Sequence, residues 1–436
     1  MGIIEALTLA LVLVGPVERV ALRESAAVDD WTTATIGLKA EGTFQPATLP
    51  GAPEAKPLAL KVGTQLLFND QVAAVDRQGV PTRSARFVAK AAAAINGEVR
   101  ESESQIRPEV MSLMAVRREA AVVVASPGGP LSRSELELVQ VPGDPLALPS
   151  LLPSGPVAVG DHWTVGELAA RNLSGYDALA SNALEATLEA FGTDSARVRL
   201  LGTIRGATLG GEGSMACDGS FTFDRKANRV DRLTLRRAEA RRAGPIEAGL
   251  DVKSVLTVVR TDNPGAPKTA ELAKMPARTA ELDAARLMLL FRSPDGKYEL
   301  LHDRDWHLFW DDARQVVLKR LARGEMVAQC NLAVGPNAGK GRHQDLGQFR
   351  EDIRKGLGPR FVRFAGDGEV DGAPKGGFRY KLSVQGKQGD AGVLWHYYLI
   401  AGPDGDQLIA TFTLGLSQQA QFGDEDLRLI GSLEWK

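Results

Sequence analysis

The chain has 436 residues, 44% of them hydrophobic and 24% charged, ordinary globular values that exclude wholesale disorder. It is longer than the roughly 250–300 residues at which a single core stops growing, so more than one domain is expected. With 52 basic against 54 acidic residues the net charge is −2, which supplies no global field for nucleic acid or an anionic membrane surface.

Residues 6–14 (ALTLALVLV) are long enough for the apolar region of a secretory signal and too short to span a bilayer. No Lys or Arg precedes them, Glu5 does, and no A-x-A cleavage site follows, so a buried strand or helix of the first domain is the alternative. The reading adopted is a signal peptide over residues 1–22 and an extracytoplasmic location, periplasmic or secreted. A misplaced start would account for the missing positive charge. No other segment is long and apolar enough to cross a membrane.

A β-rich domain is expected over residues 23–261. Short strand-like pieces from Trp31 lead into a Pro/Gly/Ala loop at 45–57, and strand patterns follow at 58–75 and 83–95. The alanine run Ala91–Ala94 suits helix or strand. Ser132 followed by Glu135 fits a capping box that opens a helix over 132–139. Five prolines between Pro142 and Pro156 predict an extended connector, followed by a strand at 157–164 and a helix at 165–172. From Ser181 the pattern has period two, with strands at 183–191, 196–205, 214–223, 229–241 and 246–260. Val198, Leu200 and Ile204 oppose Arg197, Arg199 and Arg205, which predicts an antiparallel, curved sheet with one dry and one charged face.

Residues 262–284 begin with DNPGAPKTAELAK and read as a linker. Beyond it the order of elements is that of an α+β domain over 285–436. Strands are expected at 287–291, 298–301, 307–310, 315–322 and 326–334, then a glycine-rich loop at 335–342. The helix at 344–357 carries the apolar stripe Leu346, Phe349, Ile353 and Leu357, and Gly358-Pro359 stops it. Strands at 360–370, 377–386 and 393–401 follow. The turn GPDG joins the last of these to a strand at 406–414, a hairpin signal. Val393, Trp395, Tyr397 and Leu399 face one way and Leu394, Tyr398 and Ile400 the other, as in a central strand covered on both sides. A helix at 424–430 and a strand at 432–435 close the chain.

Several of these stretches carry a resemblance. They are Tyr298 to Trp306, the helix LGQFREDIRKGL, the run WHYYLIAGPDGDQLIATFTL and the closing LRLIGSLEW. Through them residues 285–436 resemble the PsbP-like family, named for an extrinsic subunit of the oxygen-evolving photosystem. The resemblance implies an antiparallel sheet flanked by helices, with mostly non-enzymatic docking and assembly roles and no catalytic set to transfer. The later strands of the first domain are similar to the curved sheets of bacterial lipoprotein-carrier-like proteins.

The most suggestive polar cluster runs from His302 to His307. In an extended strand Asp303, Asp305 and His307 project together, and two carboxylates with an imidazole suit a divalent metal. The reading preferred over a metal site is a polar turn between two strands, capped by Asp305, since no further ligands can be identified. GPNAGKG at 335–341 is one residue short of a phosphate loop and has Gly341 where a magnesium-binding Ser or Thr belongs. Gly210 to Gly213 lies between strands with no following helix, against a dinucleotide site. Asp161-His162 resembles a turn, and His396 reads as a satisfied buried histidine. Cys217 and Cys330 each sit on an apolar face and read as buried small hydrophobes. Arg232, Arg236, Arg237, Arg241 and Arg242 alternate with Leu233 and Leu235 without interleaved aromatics, which reads as a solvated strand face.

With no serine elbow and no Cys–His motif, the leading expectation is a two-domain, non-enzymatic, extracytoplasmic protein that binds or stabilises a protein partner and holds no cofactor. The aromatic-rich last third is the expected contact surface. The alternatives are a carrier of a lipid or other apolar ligand in the N-terminal sheet, and a metal-assisted hydrolase using Asp303, Asp305 and His307.

Overall fold

The computed structural model describes residues 17–46, 56–97, 101–244, 246, 248–263 and 279–436. Most of the expected signal segment, of the 45–57 loop and of the linker therefore lies outside the described residues. The protein is mostly β, with 54% strand and 14% helix, in large antiparallel sheets.

The first part supplies β1 (Trp31–Gln45), β2 (Leu58–Val75), β3 (Pro81–Gly97), β4 (Glu101–Gln105), β5 (Ser112–Arg117), β6 (Val122–Ala125), β7 (His162–Thr164), β8 (Ala178–Phe191), β9 (Ser195–Thr208), β10 (Gly211–Asp224), β11 (Arg229–Arg241) and β12 (Gly249–Asp262). They form one 12-stranded sheet in the order β6-β5-β3-β2-β1-β12-β11-β10-β9-β8-β7, with β4 beside β3. The alanine run is strand, because its backbone is taken up by β2, where Leu66 pairs with Ala91. The helices α1 (Arg133–Val139) and α2 (Glu167–Ser174) lie between β6 and β8. Ser132 and Glu135 close the expected capping box on α1.

Alternation makes the sheet one-sided. Leu184, Val198, Leu200, Cys217, Phe221, Leu233, Leu256, Ile36 and Phe68 share one core with Leu136, Leu148, Leu151 and Leu173. The segment from α1 to α2 thus covers the sheet's inner face. Val20 and Leu22 belong to the same core, and Val20 bridges Val157, so the fold takes in residues ahead of position 23.

Three arginines interrupt the dry face, each answered by a covering segment. Arg86 of β3, 2% exposed, holds both oxygens of Asp144 at 2.7 and 2.8 Å and reaches Asp70 Oδ1 at 3.3 Å. Burial opposes its charge, but Asp144 and Asp70 outweigh that and hold the guanidinium above its ordinary pKa. Arg237 of β11 donates to the Leu173 carbonyl at the end of α2 (2.7 Å). The expected solvated face of β11 therefore holds for Arg232 and Arg236, whereas Arg237 points into the core, in phase with Leu233 and Leu235. Arg260 of β12 pairs with Glu24, whose carboxyl burial pushes up in spite of that partner.

The second part begins with a short helix, α3 (Ala284–Leu287). Then come β13 (Leu289–Arg292), β14 (Tyr298–His302), β15 (Trp306–Asp311), β16 (Gln315–Ala322), β17 (Glu325–Gly335), α4 (Leu346–Leu357), β18 (Phe361–Glu369), β19 (Phe378–Gln388), β20 (Ala391–Ala401), β21 (Gln407–Gly415), α5 (Gln419–Phe422), α6 (Glu425–Gly431) and β22 (Glu434–Trp435). A seven-stranded sheet runs β15-β16-β17-β21-β20-β19-β18, and β13-β14-β22 form a second, small sheet.

As its sequence implies, β20 is dry on both faces. Leu394, Tyr398 and Ile400 pack with Phe412, Cys330 and the α6 residues Leu429 and Ile430. Val393, Trp395 and Leu399 pack with Phe349, Ile353 and Leu357 of α4. Each of those three helix side chains contributes roughly 1.5–3 kcal/mol by burial. Asp345 caps α4 by accepting from the Gln348 amide, and Gly358 at φ 53° ends it.

Asp144→Ala leaves the Arg86 charge buried with Asp70 as its remaining carboxylate. Urea unfolding of that variant is expected to show a loss of about 3–5 kcal/mol. A loss within the ±0.5 kcal/mol of ordinary surface substitutions would mean that the pair does not fasten the covering segment.

Candidate functional site

The cluster from His302 to His307 is the connection between β14 and β15, and it is a tight turn. Asp303 Oδ1 accepts from the Asp305 amide at 2.9 Å, and the Trp306 amide donates back to the Asp303 carbonyl at 3.3 Å. The turn is therefore capped by Asp303, whose side chain reaches an amide two residues ahead, and not by Asp305 as expected. Because residues 303–305 are not extended, the alternation that would project Asp303, Asp305 and His307 together does not apply. The two carboxylates instead face Arg320 of β16, at 4.0 Å from Asp303 and 3.9 Å from Asp305, and Arg320 also meets Glu425 of α6 at 3.5 Å. His307 lies on β15 opposite Lys319. Among the described residues no three His, Cys, Asp or Glu side chains are grouped as metal ligands.

Burial sets the electrostatics here. It pushes His302 and His307 down to about 4, with the Arg133 charge adding to the effect, and His302 Nδ1 donates to the Asp303 carbonyl at 2.8 Å. It pushes the Asp305 and Glu425 carboxyls up, helped by neighbouring Asp303. Neutral imidazoles and an arginine-centred carboxylate cluster describe a closed polar joint. A cavity of about 340 Å³ beside it is lined by Met288, Leu301, Asp305, Arg428 and Leu429, among others.

The joint is where the two sheet systems meet. Arg304 sends Nη2 to the Val124 carbonyl (2.6 Å) and Nε to the Leu287 carbonyl (3.1 Å). Arg133 of α1 returns two bonds, to the carbonyls of Arg304 (2.7 Å) and Trp306 (2.8 Å). Burial and the proximity of Arg133 lower Arg304 to about 10. Leu131 forms a parallel bridge with Leu289, and Leu289 enters the core of the first sheet. Sequence reasoning missed this exchange, since Arg133 and Arg304 lie far apart in the chain and neither sits in a motif.

Past the joint, β15 is an edge strand. Its pairing with β16 shifts between Leu308 and Trp310, a bulge, and Phe309 and Trp310 are 37% and 57% exposed. The Lys319 ammonium lies 3.3 Å from the centre of the Phe309 ring, and Trp310 Nε1 donates to Asp312 at 3.0 Å. The aromatic richness of the last third is only partly a surface property. Trp306 and Trp395 are core residues, because their strand positions face α5–α6 and α4.

The other singled-out residues have structural partners. The 335–342 loop is bonded to the hairpin turn, Ala338 to the Gly405 carbonyl and Gly341 to the Pro403 carbonyl, both at 2.9 Å. Gly405 sits at φ +86°, and a Cβ there would lie 2.3 Å from the Gly339 carbonyl oxygen. Asp161 closes a turn by accepting from the Ala158 amide, and His162 opens β7. His396 is half-buried and hydrogen-bonded to Ser383 at 2.8 Å, while Lys381 and Tyr398 converge on Asp426 at 2.6 and 2.7 Å. These cross-strand pairs follow from the β19–β20 register, to which the sequence has no local signal. Cys217 and Cys330 are free and buried, and burial pushes both thiols up.

No family model matches the chain, and no curated protein matches it. Among solved structures, the cyanobacterial PsbP of Synechocystis sp. PCC 6803 is 13% identical over 36% of this chain and 98% of its own, with a TM-score of 0.27. A Bacteroides thetaiotaomicron protein is 13% identical over 34% of this chain, which spans 48% of its length, at a TM-score of 0.25. Lipovitellin is 7% identical over 60% of this chain and 27% of its own, at 0.32. At these scores the likeness extends at most to a distant PsbP-like fold.

The low histidine pKa values make stability pH-dependent. An unfolded His302 takes up its proton near 6.5 and the native one only near 4, so its contribution is complete above pH 6.5 and lost as pH falls toward 4. Asp305 and Glu425, raised by burial, act in the opposite sense. The melting temperature of His302→Asn is expected to fall less than that of the wild type between about pH 7.5 and 4.5. Equal falls would remove His302 as a source.

Proposed function

We propose that the protein is a non-enzymatic, extracytoplasmic, two-domain binding protein that docks a protein partner through the β15 edge. In this reading residues 6–14 direct export, and the β-rich first domain is joined through the Arg133–Arg304 seam to a PsbP-like α+β domain. The observation that carries it is Trp310, more than half exposed on an edge strand beside Phe309. An unpaired strand edge bearing a large aromatic is a costly surface for a monomer and a common anchor of protein interfaces. The inner face of the 12-stranded sheet is packed by Leu136, Leu148 and Leu173, which favours a partner over an apolar ligand carried there.

The test is in-cell crosslinking in the native compartment, comparing wild type with Trp310→Ala and with Leu201→Ala, a control 56% exposed on the other sheet. Trp310→Ala is expected to weaken capture of a defined partner by at least about tenfold, the effect of losing a hot-spot side chain, while Leu201→Ala leaves it unchanged. The same partners captured equally by all three proteins would sink the proposal.

A further inference from the structure

Arg379 of β19 is 3% exposed, yet its side chain makes one hydrogen bond, from Nη2 to the Leu433 carbonyl at 2.7 Å. Its Nε and Nη1 are buried without an acceptor, and among the described residues no carboxylate pairs with it. Arg86 and Arg260, similarly buried, are both answered by carboxylates. Burial lowers the Arg379 pKa, with no neighbouring carboxylate to counter it. Acids on the surrounding elements are committed elsewhere: Asp426 to Lys381 and Tyr398, Glu434 to Lys436, and Asp406 to Lys297. The Trp435 indole N–H, two residues past Leu433, is a second buried donor without an acceptor.

The guanidinium lies under the connection between β18 and β19, residues 371–377 (DGAPKGG). Nη1 is 3.7 Å from where a Cβ on Gly372 would stand, and Gly372 is itself exposed, so one layer of backbone separates the charge from solvent. Gly372 and Gly376 sit at φ +84° and +81°, where a side chain would be strained. The amides of Gly372, Ala373, Lys375 and Gly376 have no protein acceptor among the described residues, whereas Gly377 donates to the Pro374 carbonyl at 2.7 Å. Lys375 and Asp371 on this loop, and Asp404 on the facing hairpin turn, are exposed. None of the three forms an ion pair among the described residues.

A guanidinium buried without counter-charge is expensive, and an unsatisfied buried group in a native protein calls for an ion or other partner that completes it. We propose that Arg379 and the 371–377 loop form a binding site for a carboxylate. The guanidinium holds it from below and the free loop amides from above. One buried positive charge matches the single negative charge of a carboxylate, which a phosphate dianion would exceed. Lys375 adds attraction at the entrance, screened by solvent and offset by Asp371. This site goes beyond the β15 edge and is separate from it, since β19 lies toward the other side of the seven-stranded sheet.

The test is the melting temperature of the full chain in rising sodium acetate, against equal ionic strengths of sodium chloride. The wild type is expected to show a saturable rise with acetate and none with chloride. In Arg379→Met the half-saturating acetate concentration rises at least about tenfold, as for loss of a charged hydrogen bond. If that variant does not fold, Lys375→Glu decides the matter, with a severalfold weakening expected. Acetyl-triglycine with a free carboxylate, compared with its amide, separates two sources of the group. Tighter binding of this peptide than of acetate assigns the carboxylate to a partner's chain end, and binding no tighter assigns it to a free acid. Absence of a saturable acetate response overturns the proposal. So does an equal response to chloride, and so does a response unchanged in the variant.

Discussion

Arg86 imposes the strictest requirement in the molecule. A guanidinium on the dry face of a sheet must be given hydrogen bonds and counter-charge there, since burying it bare would cost several kcal/mol. Asp144 meets that requirement from the covering segment, and does so through both oxygens, so that the segment has one position on the sheet and no freedom to slide. Arg237 and Arg260 repeat the arrangement at the end of α2 and at the N-terminal segment. Apolar packing of leucines on leucines is tolerant of small shifts. These three polar contacts define the register in which the packing occurs.

The same logic governs the seam between the sheet systems. Arg133 and Arg304 are each spent on backbone carbonyls of the opposite part, and the acidic turn beside them is spent on Arg320. A group of residues that looks reactive in the sequence is therefore a joint, whose imidazoles are kept neutral by burial. The joint also positions the edge strand β15. With Trp306 anchored in the core, the bulge in that strand leaves Phe309 and Trp310 at the open edge.

Much of the architecture was legible in the residues. Period-two runs gave β8 to β12 within a few residues of their ends. The capping box gave α1, the apolar stripe and Gly358 gave α4, and the two-faced run at 393–401 gave a central strand. Those signals are local, because each depends on side chains within a turn or a strand of one another. The favoured reading of 303–305 as a polar turn holds, but with Asp303 and not Asp305 as its cap, and the extended alternative fails for a related reason. Two residues of alternation are too few to tell a strand from a turn, and the decisive contact is Asp303 with its own backbone.

The sequence by itself determined the mostly β character, the helices α1, α2, α4 and α6, the burial of both cysteines and the lack of any local catalytic signature. Only the tertiary structure decided that Arg237 is a core residue while its neighbour Arg236 is solvated, and that Trp306 is buried while Trp310 is exposed. It alone brought Asp144 to Arg86 and Arg304 to Val124. The physical reason is that periodicity reports which side chains share a face of one element, whereas the energy of a buried charge depends on groups brought from distant parts of the chain. Those pairings exist only once the strands have taken their order.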